Sequence, residues 1–104
     1  MRTIKDLVSD GNKCYVYLAN AEIGRKFLEQ AENEGFTFGD GVKPTGRSYA
    51  EVMCVNGNYT INYVGAYGRI AFGAGVSKVG DTSLTRVDFE KYISGAEDYS
   101  YTRR

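Results

Sequence analysis

A single helical period set in a chain otherwise patterned for strands is the feature that most constrains the fold. Over residues 21–34, Ile23, Phe27, Leu28 and Ala31 recur at the spacing that puts them on one side of a helix. Glu22 and Lys26, and likewise Arg25 and Glu29, stand four apart and mark the solvent side. Asn20 is placed to cap the start of this helix and Gly35 to end it in a left-handed conformation. A shorter helix is expected over residues 3–10, with Thr3 as cap, Ile4, Leu7 and Val8 as its apolar stripe and Gly11 as its stop.

Between the two helices, residues 13–19 read as a strand, with Cys14, Val16 and Leu18 turned to the core. After Gly35 the period changes to that of β-structure. Residues 36–38 begin a strand, and residues 39–47, with three glycines and the single proline, read as a mobile loop. Residues 49–55 and 59–64 flank Asn56-Gly57-Asn58, a hairpin signal because Asn-Gly readily takes positive φ. Residues 69–72 and 84–87 read as further strands, separated by a glycine-rich loop at 73–82. Asp88 is placed to cap a brief last helix through Phe89, Tyr92 and Ile93, closed by Gly95, and a frayed tail is expected from about residue 96. The expected fold is one α+β domain over residues 1–104. One main helix packs on a mainly antiparallel sheet of about five or six strands, with short terminal helices.

Composition excludes several functions. The chain has no histidine, so Ser/His/Asp and Cys/His catalysis and histidine-ligated metals are absent. Thirteen basic and thirteen acidic residues balance, which lacks the basic footprint of a general nucleic-acid binder. Asp6 and Asp10 interrupt the N-terminal residues, so no signal peptide is expected. No apolar run approaches the ~20 residues that span a bilayer, and a cytosolic protein is expected. Cys14 and Cys54, forty residues apart, read as buried free thiols.

The glycine-rich stretches do not make a nucleotide site of the usual kinds. Gly75 and Gly80 have the separation of a phosphate-binding loop, but Asp81 stands where the lysine belongs, and a strand follows instead of a helix. Arg69-Ile70-Ala71-Phe72-Gly73 only faintly echoes an RNA-binding aromatic strand, and the βαββαβ order is missing. Asp40, Glu51, Asp81 and Asp88 are available as paired acids, yet no spacing joins two of them. No enzymatic activity and no cofactor or metal are expected.

What stands out is tyrosine beside arginine and lysine in the loop-rich half. Arg47, Tyr49, Tyr63, Tyr67 and Arg69, with Lys78 in the glycine loop, are the candidate binding residues. Tyrosine and arginine combine large contact area with hydrogen bonding, which is why they dominate binding hot spots. The plainer reading is that the tyrosines cover a half-exposed sheet.

Residues 15–41 hold a strand, the helix Ala21-Glu22-Ile23-Gly24-Arg25-Lys26-Phe27-Leu28-Glu29-Gln30-Ala31, and Glu34-Gly35-Phe36-Thr37-Phe38-Gly39-Asp40-Gly41. With Thr60-Ile61-Asn62-Tyr63 and Val87-Asp88-Phe89, this pattern resembles small accessory proteins of phages and prophages of Gram-positive bacteria. The likeness lies in folding residues and supplies no functional ones. Phe38 takes a place where tryptophan is often found, and residues 42–47 look individual. The resemblance implies stoichiometric binding to a host protein, a defence component such as a CRISPR nuclease being the leading expectation. Two alternatives stay open. One is an oligomeric sponge for a nucleotide signal, using backbone amides of residues 73–80 with arginine and tyrosine. The other is a structural or regulatory phage protein.

Overall fold

A computed structural model of the chain describes residues 2–9, 11, 13–64, 78–79 and 82–101. The elements run α1 (Ile4–Leu7), β1 (Lys13–Tyr17), α2 (Ala21–Asn33), β2 (Thr37–Phe38), a 3-10 turn (Pro44–Gly46), β3 (Val52–Val55), β4 (Thr60–Tyr63), β5 (Lys78–Val79), β6 (Thr82–Asp88) and α3 (Phe89–Ser94). The caps act as their residue types dictate. Thr3 accepts from the Asp6 amide at 3.2 Å, and Asn20 Oδ1 accepts from the Ile23 amide at 3.0 Å. Gly35 and Gly95 leave their helices at φ +90° and +89°. Asp88 occupies the position before α3, but its side chain makes no capping bond there.

The architecture is α+β with a mixed sheet, where the sequence predicts a mainly antiparallel one. Strand order is β2-β4-β3-β1-β6-β5. The pairs β1–β3, β3–β4 and β5–β6 are antiparallel, whereas β1–β6 and β2–β4 are parallel. The glycine loop expected at 73–82 contains β5, and the strand expected at 69–72 lies outside the described residues.

Alternation decides the faces. Cys14 pairs with Val55, Val16 with Met53 and Val55 with Ile61, so these side chains share one side of the sheet. They join Ile23, Phe27, Leu28 and Ala31 of α2, and Val87 and Phe89, in one buried cluster. Phe27 meets Phe89 edge-on at 5.2 Å, a favoured aromatic geometry.

Two segments are fastened more firmly than their composition suggests. Residues 96–101 return to β6 instead of fraying. The Asp88 amide donates to the Tyr99 carbonyl, the Tyr101 amide donates to the Arg86 carbonyl, and Ser100 bridges Val87. Tyr101 packs on Tyr17 and Tyr99 on Tyr92, both at 4.8 Å. Arg2 secures the same corner, donating to the carbonyls of Tyr92 and Ala96 with its guanidinium 4.8 Å from the Tyr99 ring. Residues 39–47, expected to be mobile, continue through residues 48–51, where the strand expected from Tyr49 has not yet begun, and together cross α2 as a strap that builds the candidate site.

Candidate functional site

The strap is pinned to the helix at two points. Glu32 Oε1 accepts both the amide and the hydroxyl of Thr45, at 3.2 and 2.7 Å. Those two bonds hold the Glu32 carboxyl below its usual range. About two turns earlier, the Tyr49 ring lies directly over Gly24, where a Cβ would come within 2.7 Å of three ring atoms. A helix-interior glycine is thereby explained: only it lets the ring approach.

At the sheet end of the strap, Arg47 grips Asp40 through Nη1 and Nη2 at 3.1 and 2.5 Å. That fork, helped by the Val42 amide, lowers the Asp40 carboxyl and raises Arg47. The guanidinium lies 4.8 Å from the centre of the Phe38 ring. Tyr63 packs on the same ring at 5.5 Å, and its hydroxyl donates to the Ser48 carbonyl at 2.6 Å. Arg47, Tyr49 and Tyr63 therefore belong to one neighbourhood. Lys78 stands on β5, at the opposite edge of the sheet from β2 and β4. Tyr67 and Arg69 lie outside the described residues.

Tyr59 completes the neighbourhood; the sequence counts it among the surplus tyrosines near Arg47, but the candidate binding set leaves it out. The hairpin closes through Tyr59 N–H to the Asn56 carbonyl and Asn56 N–H to the Thr60 carbonyl. The positive φ this turn requires, +64°, falls on Tyr59 and not on Asn56-Gly57. Tyrosine is an unfavourable residue there, since its Cβ crowds the backbone. The side chain is held nonetheless: it meets Phe36 edge-on at 5.5 Å, with Lys5 Nζ 5.1 Å from the ring centre. Tyr59 at 50% and Tyr63 at 44% exposure are the exposed large hydrophobic residues among those described.

The β2 edge beside them is closed to strand addition. Thr37 N–H bonds inward to Tyr59, so the Phe38 backbone groups face away from β4. Phe38 N–H donates to the Val42 carbonyl and its carbonyl accepts from Gly41 N–H, which leaves no free ladder at that residue.

Of the four acids the sequence singles out, Asp81 lies outside the described residues. Asp40 follows β2 and Asp88 ends β6, four strand spacings or about 19 Å apart. Cys14 and Cys54 are both buried, and neither is in a disulfide. Cys54 pairs with Tyr15, so it lies on the face opposite Cys14. Burial pushes the Cys54 thiol up to about 11, against the pull of Lys13, the reverse of an activated nucleophile. Among the described residues no group of three His, Cys, Asp or Glu stands ready to hold a metal, and no helix is long and apolar enough to cross a membrane.

No protein-family model, curated protein or solved structure matches the chain.

Proposed function

We propose that this chain is a non-enzymatic binding protein that acts by stoichiometric occupation of a partner protein, with Tyr59, Tyr63 and Arg47 as its recognition face. The observation that carries this reading is the pair of half-exposed tyrosines, each braced from behind by a buried phenylalanine. A braced ring has little rotamer freedom left to lose, so it adds contact area at low entropic cost on binding. Arg47 is oriented in the same way, since Asp40 fixes its fork while leaving other N–H groups outward. The scaffold beneath is one main helix packed on one side of the sheet, which keeps the face rigid. The partner class is the one the phage resemblance implies, a host defence protein met in the bacterial cytosol, and no cofactor takes part.

The test compares tagged wild type with the Tyr59→Ala/Tyr63→Ala double variant as baits in a Gram-positive host lysate. Wild type retains a partner in equimolar amount. The variant, with unchanged circular dichroism, loses it, because a hot-spot side chain contributes about thirtyfold or more in affinity. A partner retained equally by both baits refutes the assignment.

A further inference from the structure

Between the strap and α2 lies a cleft of 320 Å³, at the small end of the ~300–1,000 Å³ range of ligand sites. That size suits a molecule of mononucleotide dimensions. Leu28 and Tyr49 supply apolar wall, and Arg25, Thr45, Arg47 and Ser48 supply its polar lining. Arg25, Arg47 and Ser48 bring hydrogen-bond donors, whereas the Thr45 hydroxyl already donates to Glu32, and no carboxylate is among the described lining residues. Two arginines thus line the cleft, while the carboxylates paired with them, Glu29 and Asp40, stand outside its lining.

Neither arginine is used up. Asp40 takes two of the five N–H groups of Arg47, which leaves three. Arg25 reaches Glu29 only through Nε at 3.8 Å, with its side chain 69% exposed, so its outer fork is open to two oxygens of an anion. The aromatic wall is preformed, because the Tyr49 ring is seated on Gly24. We infer that this cleft binds a phosphate monoester carried on a flat aromatic body. The phosphate lies between Arg25 and Arg47, and the body rests against Tyr49 and Leu28. Two guanidinium groups and the Ser48 hydroxyl match the three outer oxygens of a phosphate better than the two of a carboxylate.

The experiment is a nuclear magnetic resonance titration of the isolated, isotope-labelled protein with adenosine monophosphate, adenosine and inorganic phosphate, each alone. The monophosphate is expected to shift the amides of Arg25, Thr45, Ser48 and Tyr49 saturably, with Kd below about 1 mM. Adenosine and phosphate should each bind at least about tenfold more weakly, and Arg25→Gln should weaken the monophosphate about tenfold without changing Tm. Shifts that inorganic phosphate reproduces at equal affinity, shifts centred elsewhere, an unaffected Arg25→Gln variant, or no shift at ~10 mM each overturn the inference. No partner protein enters this titration, so its failure is separate from failure of the tyrosine face.

Discussion

Replacing Gly24 by alanine should destabilise this protein, against the ordinary expectation for a helix. Inside a helix, glycine costs about 1 kcal/mol relative to alanine, so propensity alone makes Gly24→Ala stabilising. Here the new Cβ falls within 2.7 Å of Cγ, Cδ1 and Cδ2 of Tyr49. Those atoms form the root of the ring, so it cannot swing clear unless residues 47–50 move with it. Overpacking of this kind costs about 1–3 kcal/mol, which leaves a net loss of about 1 kcal/mol. Tyr49→Ala removes the obstruction, and in that background Gly24→Ala should recover its propensity gain of about 1 kcal/mol. The double-mutant cycle then yields a coupling of about 2 kcal/mol, read from urea unfolding of the four proteins. In Tm, each kcal/mol is about 4–8 °C for a domain of this size. Stabilisation by Gly24→Ala in the wild-type background would refute the seating of the strap on α2.

Three further outcomes follow from the same contacts. Glu32 and Asp40 are held below their ordinary values of 4.5 and 3.8, so they bind protons less readily folded than unfolded. Their contribution is complete above those values and is lost as pH falls through the folded ones. A Glu32→Gln/Asp40→Asn variant should therefore show a flatter acid limb in its urea midpoints, and an unchanged limb counts against the strap contacts. Gly35→Ala, at φ +90° with nothing within 4 Å, should cost about 1 kcal/mol through backbone strain alone, measured by thermal melting. Cys14 and Cys54 should resist alkylation in the native protein at mildly alkaline pH and react on adding denaturant, because both are buried and the Cys54 thiol is raised. Rapid native labelling of either, followed by peptide mapping, contradicts that burial.

Much of the local structure was legible because it is written in local chemistry. Thr3, Asn20 and Gly35 act where their side chains predict, and the apolar spacing of α2 marks the face that enters the core. Strand neighbours are different: a period of two reports faces, not partners. Nothing local announces that β1 pairs in parallel with β6, sixty-odd residues later, or that β2 joins β4 in parallel. Within the site, Gly24 was a readable signal, since an interior helix glycine with no turn to make implies a close approach. Tyr59 was hidden by its neighbours. Asn-Gly drew attention as the source of positive φ, whereas a three-residue closure moves that requirement one place past Asn58. The tail looked polar and free, yet Tyr99 and Tyr101 carry the apolar area that returns it to the sheet.

The most direct test of the binding reading places a photo-crosslinking amino acid in turn at Tyr59, Tyr63 and Glu90, in protein expressed in a Gram-positive host. Glu90 is exposed on α3, which follows β6, three strands across the sheet from β4. The account expects one and the same partner protein to be captured from positions 59 and 63 and not from 90. Capture from 90 alone, or of different proteins from 59 and 63, would contradict it.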